Sequence, residues 1–296
     1  MRLLGLDLSE GHARAVVVGD AGDVVARADR APDRGGLAAA ARDAVKGLGK
    51  AVTGVEAAGV AVALAGDALP ADVADTLAGA LKARLPVHAV SAGAASVLAE
   101  TWLGAAAGTR DAVALVCGER VAAATMIGGR VVDGAHGLAG SVGWLALNPV
   151  EREDYRRHGG LEAEVSAAGI VRRLVWRVKA GDRSRVVDEV GGDLGRLTAA
   201  HVFEGARRGD GVSISVVRDT AKYVGMAVAN LVSVVDPEVV VLAGPLADAG
   251  DLLLEPIRAE CARRLRPAQA ERVAVLLSTL GADGVAIGAA RRAGQG

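Results

Sequence analysis

Arg-Leu-Leu-Gly-Leu-Asp-Leu (residues 2–8), Ala-Arg-Ala-Val-Val-Val (13–18) and Val-Val-Ala-Arg-Ala (24–28) form an antiparallel meander. The first strand carries Asp7 at its end, Ser9-Glu10-Gly11-His12 makes the first turn, and Asp20-Ala21-Gly22-Asp23 makes a hairpin-type turn. Beyond it, residues 36–50 have the Ala/Leu/Lys pattern of a helix, and 57–64 read as a buried strand closed by Gly66. A helix over about 70–83, a strand over Pro86–Val90 and a helix ending near Glu100 complete the run. A meander followed by β-α-β-α is half of an α/β fold.

The meander then recurs. After the Ala/Gly-rich link at Gly104–Gly108, strands are expected at 111–117, 121–127 and 130–133, which makes the fold a duplication. Residues 134–160 are glycine-rich and irregular, and from Leu161 the chain turns helical, with a long amphipathic segment over 212–234. Asp236-Pro237 breaks that helix, because the residue before a proline is pushed out of the helical region. A strand at 238–242, a tight turn at Ala243-Gly244-Pro245, a helix over 246–265, a strand near 273–277 and a helix over 284–292 finish the chain.

Composition agrees with that reading. A chain of 296 residues is long enough for two domains. Hydrophobic residues make up 51% and aromatic ones 2%, so the core is built from Val, Leu, Ala and Ile, which favours α/β layering over an aromatic-rich sandwich. Net charge is −1 with both signs mixed, so nothing marks a nucleic-acid surface or a basic partner. Cys117 and Cys261 lie far apart in apolar contexts and read as buried thiols rather than a disulfide or a Cys-rich metal site. The N-terminus lacks the apolar run of a signal peptide, and no stretch approaches the ~20 apolar residues of a membrane span. A cytoplasmic protein is expected.

Four segments, in order, carry a specific resemblance: Gly134-Ala135-His136-Gly137-Leu138-Ala139-Gly140; Leu161-Glu162-Ala163-Glu164-Val165-Ser166; Val235 to Gly244; and Leu280 to Ala290. Each alone is a glycine turn or a buried strand. Together they resemble the ROK family of sugar kinases and repressors, over nearly the whole chain. The resemblance implies the two-domain actin-like ATPase (ribonuclease H-like) fold. The domains expected are a smaller α/β one over 1–105, joined by the C-terminal helix 284–296, and a larger one over 106–283. It also implies a homodimer formed through the larger domain. The winged-helix arm of the family's repressors is expected to be missing.

The family's chemistry fits this chain poorly. Members transfer phosphate from ATP to a sugar, with an Asn-Asp pair at the strand end before Glu100; the Asp deprotonates the sugar hydroxyl. Ser91 and Ala92 stand there, and no Asp or Glu lies between Asp75 and Glu100, so shifting the register does not supply one. Losing a general base alone costs about a hundred- to ten-thousand-fold in rate. The family's Gly-Glu-x-Gly-His becomes Gly140-Ser141-Val142-Gly143-Trp144, in which Ser141 is too short to replace a carboxylate and Trp144 cannot ligate zinc. The three zinc cysteines correspond to Glu153, Tyr155 and Gly160, so zinc is not expected; Trp144, Tyr155 and His158 could fill that corner. Trp144 could equally stack on a ligand. Glu162 matches the remaining sugar-contacting carboxylate, and reads equally as a helix-start carboxylate. His136, in the glycine-rich segment, completes the expected ligand cleft.

On the nucleotide side the resemblance points to Asp7, Gly11, Gly118, Arg120 and Gly244. Both phosphate loops are altered, to Ser9-Glu10-Gly11-His12 and Gly118-Glu119-Arg120. A carboxylate ~4 Å from a phosphate charge costs about 4 kcal/mol at an effective dielectric of 20. No cofactor is therefore counted on, although Mg-ATP binding stays open. The expectation is a sugar-kinase-like protein with dismantled catalytic and zinc sites, acting as a non-catalytic pseudokinase that binds a small molecule or a partner protein. Two alternatives stay open: an ATP-dependent sugar kinase with an atypical base such as Glu162, and a different reaction in a pocket lined by Trp144 and Val142.

Overall fold

The structure is a computed structural model; it describes residues 1–9, 13–19, 21–31, 36–63, 69 and 71–295. Glu10, Gly11, His12 and Asp20 of the first meander lie outside the described residues. In chain order the elements are β1 (Arg2–Asp7), β2 (Ala13–Val18), β3 (Val24–Arg30), α1 (Gly36–Gly47), β4 (Val55–Val62), α2 (Ala71–Leu81), β5 (Val87–Ser91) and α3 (Ala92–Trp102). β6 (Ala112–Cys117), β7 (Val121–Ile127), β8 (Arg130–Val131), α4 (Glu153–His158), α5 (Glu162–Val165), α6 (Ala167–Lys179), α7 (Arg185–Glu189) and α8 (Ala199–Arg207) come next. The chain closes with α9 (Gly211–Val235), β9 (Val239–Ala243), α10 (Gly250–Arg264), α11 (Pro267–Ala270), β10 (Ala274–Leu277) and α12 (Gly284–Ala293). The described strands fall into two five-stranded sheets.

The chain divides into two compact units, one of residues 1–116, 122–141 and 278–296, the other of 117–121 and 142–277. In the first, the sheet runs β3-β2-β1-β4-β5; β1 pairs antiparallel with β2 and parallel with β4. β2 and β4 are almost wholly buried and read as apolar runs interrupted once each, by Arg14 and Glu56, whereas the edge strand β3 alternates half-buried and exposed residues. The C-terminal helix α12 lies directly on β1 and β4. A Cβ added at Gly5 would sit 1.9 Å from the Ala286 carbonyl oxygen, and one at Gly59 would sit 1.8 Å from that of Ala289. Only glycine lets helix and sheet come so close.

In the second unit, β9 and β10 pair in parallel, from Ala274 with Val239 to Leu277 with Leu242. The 25-residue α9 is capped by Asp210, whose carboxylate accepts from the Ser213 N–H at 2.9 Å, and it ends at Asp236 in the left-handed region at φ 52°. Pro237 then prevents continuation. The helix expected over 246–265 starts later: Pro245–Ala249 winds as a 3-10 turn before α10, because Gly244 at φ 80° and Pro245 set a tight entry. The segment 134–160, expected to be irregular, contains a 3-10 turn over Val142–Trp144 and the short helix α4. Both cysteines are buried and unbridged. Among the described residues no helix is long and apolar enough to cross a membrane.

Candidate functional site

The expected site residues divide between the units. Asp7, Ser91, Ala92, His136 and Ser141 lie in the first; Gly118, Arg120, Trp144, Glu162 and Gly244 lie in the second; Gly11 lies outside the described residues.

In the first unit, β5 runs straight into α3. Ser91 closes the strand and caps the helix, its Oγ accepting the Ala94 N–H at 3.2 Å. Ala92 follows as the first helical residue, with a methyl group that is 3% exposed. Neither side chain can take up a proton at neutral pH. The acid of this helix, Glu100, is buried at its far end and accepts from the Ser278 hydroxyl and from the Ala105 N–H at 2.8 Å. It is a strut between α3 and the segment leading into α12. Asp7, 4% exposed at the end of β1, accepts the Ser9 N–H at 2.8 Å and the Ser9 hydroxyl as well. That carboxylate holds its own turn. Ser141 donates to the Leu138 carbonyl at 2.8 Å, and His136 is exposed in the same glycine-rich stretch.

The second unit carries the more informative geometry. Glu162, 5% exposed at the start of α5, accepts the Val121 N–H at 2.9 Å through one oxygen and lies 3.1 Å from Arg120 Nε through the other. The carboxylate that the family resemblance assigns to sugar thus fixes the turn over Gly118–Val121 and pairs with Arg120, which the resemblance placed on the nucleotide side. The same turn is tied to α6, because the Gly118 carbonyl accepts the Ala167 N–H at 2.9 Å.

Trp144 is 58% exposed, so it does not fill the corner for which it was a candidate, and His158 is exposed at the end of α4. Tyr155 does turn inward: its hydroxyl donates to the buried Glu164 carboxylate, and burial together with that contact pushes the phenol well above its ordinary range. A Cβ at Gly160 would stand 2.5 Å from the Leu145 carbonyl oxygen, which leaves no room for a cysteine-like ligand. Among the described residues no group of three or more His, Cys, Asp or Glu side chains could hold a metal ion. The donor set around Trp144, Tyr155 and Gly160 does not fit zinc.

One cavity, of about 220 Å³, lies within the second unit beside Gly118. Cys117 and Gly118 form one wall, Ile170 of α6 and Phe203 of α8 another, and Pro245 and Leu246 a third. The walls are mostly apolar, with Glu204, Arg207 and Asp248 among the lining residues. Arg207 is already engaged by Glu204 and Asp251. Such a slot suits a flat, weakly polar group such as a nucleobase. The α8 wall belongs to no motif of the sequence. The available signal was composition, since Phe203 is the single phenylalanine of a chain with 2% aromatics.

Known proteins agree with this architecture. The sequence pattern of the ROK family matches residues 4–295. The glucokinase of Halalkalibacterium halodurans is 31% identical over 207 residues, 69% of this chain and 62% of that enzyme. The xylose repressor of Caldicellulosiruptor bescii is 28% identical over 210 residues, 70% of this chain and 52% of the repressor. The matched stretch thus spans less than two thirds of either relative. The crystal structure of a ROK family glucokinase from Streptomyces griseus, in complex with glucose and AMPPNP, superposes with a TM-score of 0.85 at 25% identity and 100% coverage of both chains. The fold is therefore that of the ROK glucokinases, an α/β actin-like ATPase fold. With the family pattern running almost from end to end and the Gly118 and Gly244 turns in place, this chain belongs to the ROK family.

Proposed function

We propose that this chain is a ROK-family protein that binds a nucleotide-like small molecule in the Phe203 cavity but does not phosphorylate sugar by aspartate base catalysis. The observation that carries this reading is the start of α3. There the position that resembles the family's base holds the buried methyl of Ala92, the Ser91 hydroxyl is taken up as a helix cap, and Glu100 is locked to Ser278. Ser141 and Trp144, in place of a carboxylate and an imidazole, point the same way. A scaffold that keeps its buried turns while losing base and metal ligands is one retained for binding.

A second reading, an ATP-dependent sugar kinase with an atypical base, is favoured by the likeness to proteins named glucokinase. It requires a carboxylate free to reach a sugar, and Glu162 is committed to Val121 and Arg120. Calorimetry with AMPPNP, run beside an ADP-release assay over hexoses and amino sugars, separates the two. Nucleotide binding without sugar-dependent ADP release supports the first reading, and sugar-dependent release supports the second. Light scattering tests the homodimer that the family resemblance implies.

A further inference from the structure

A second cavity of the 142–277 unit, about 460 Å³, lies among the 147–152 segment, α6, α9 and the end of α10. Its lining cations are Arg152, Arg173, Arg177, Lys222 and Arg264, against the carboxylates of Glu164 and Asp219. Three of these arginines also reach outward: Arg152 to Asp154, Arg177 to Asp182 and Arg264 to Glu260. Asp154 and Glu260 are themselves shared with further arginines, Arg172 and Arg263. Counting every partner, seven cationic side chains face five carboxylates, an excess of two positive charges.

Two groups in this wall are left short of partners. Arg173 is 9% exposed; its other nitrogens donate to the Val216 carbonyl and the Thr220 hydroxyl, but its Nε has no hydrogen-bond partner and only the Glu164 carboxylate at 3.4 Å. A guanidinium taken out of water with an unused N–H is costly unless an anion completes it. Lys222, exposed on α9, makes no ion pair or hydrogen bond among the described residues. Trp176, 43% exposed and with Arg152 stacked over its ring at 4.8 Å, stands in the same wall.

We propose that this cavity binds a small molecule bearing a phosphomonoester, with Lys222 and the arginine forks on the phosphoryl group and Trp176 against the carbon skeleton. A phosphomonoester carries about −1.5 to −2 charge at neutral pH, which matches the excess, whereas a single carboxylate supplies half of it. Arginine forks bind tetrahedral oxyanions through paired N–H donors, and the lysine adds a point charge. The site is separate from the Phe203 cavity, with which it shares no lining residue, and it does not depend on whether that cavity takes a nucleotide.

The test uses the full chain, intrinsic tryptophan fluorescence, to which Trp102 and Trp144 contribute beside Trp176, and calorimetry, with inorganic phosphate and ribose 5-phosphate as probes and ribose and succinate as comparators. Saturable binding of ribose 5-phosphate, weaker binding of phosphate and none of ribose are expected, with affinity falling as salt is raised. In Lys222→Glu, with the melting temperature kept, and separately in Arg264→Ala, which also takes one partner from the buried Glu260, ribose 5-phosphate binding should weaken by about tenfold or more as a charge-assisted contact is lost. The proposal is overturned if neither phosphate compound binds saturably. It is equally overturned if both variants bind as the parent does, or if succinate binds as tightly as ribose 5-phosphate.

Discussion

The Glu162 carboxylate and the Val121 main-chain N–H, separated by 41 positions in the chain, meet at 2.9 Å, with Arg120 completing the cluster at 3.1 Å. Replacing Glu162 by Ala would leave a buried N–H unsatisfied and one arginine unpaired, at a cost of about 1–3 kcal/mol. Glu162→Gln keeps an acceptor and should lose less. Denaturant unfolding measures both. A stability unchanged in Glu162→Ala would return this residue to the role of a ligand carboxylate.

Asp210 gives a pH signature. Its burial works against the charged form, but the bonds from the Ser213 and Arg185 amides and the Ser184 hydroxyl outweigh it and hold the carboxyl below its ordinary value. A folded-state value below the unfolded one means that the stabilisation is fully present above the unfolded carboxylate range, about pH 4. It is lost as pH falls through the folded value. Asp210→Ala should therefore cost about 1–2 kcal/mol near neutrality, as losing a helix cap does, and should make stability fall less steeply in acid. Unfolding curves of the two proteins from neutrality into acid check the slope.

The contact between α12 and the sheet is expected to be the least forgiving part of the first unit. Gly59→Ala puts a methyl 1.8 Å from the Ala289 carbonyl oxygen, a clash with main chain that no side-chain rotation relieves. A loss of about 3 kcal/mol or more is expected, since overpacking against a rigid backbone lies at the severe end of single substitutions. Gly137→Ala, with open space around it but φ at 67°, should cost only about 1 kcal/mol. Melting temperatures of both rank the two effects.

Ala200 is exposed and lines the Phe203 cavity, so Ala200→Trp should block it with little change in stability. AMPPNP binding by calorimetry should fall about tenfold or more, as when a preformed apolar slot is filled. Unaltered binding would place the nucleotide elsewhere.

Periodicity made the order of elements readable, because the buried strand β6 runs apolar over its whole length, β4 does so from Ala57 to Val62, and α9 keeps its helical repeat for 25 residues. Ser91 and Ala92 were legible for a similar reason: a strand end followed at once by a helix marks its own junction. The allegiance of Glu162 was not, since its partners, Arg120 and Val121, lie 42 and 41 positions upstream and only the folded chain brings them together. The exposure of Trp144 was hidden as well, because an aromatic residue in a glycine-rich stretch gives no periodic signal for its face. Both cavities escaped the sequence reading for the same cause. Their walls come from helices distant along the chain, and Ala199, Phe203 and Lys222 each look like an ordinary helical residue.

Whether the scaffold is kept without the aspartate chemistry is read most directly from ADP release from Mg-ATP with glucose and other hexoses, on protein shown by calorimetry to bind AMPPNP. Nucleotide binding with no sugar-dependent ADP release above the protein-free rate is expected in the parent chain and in Ala92→Asp alike, because Ser141 and Trp144 are also changed. Sugar-dependent ADP release by the parent chain, abolished by blocking the cavity with Ala200→Trp, would contradict it.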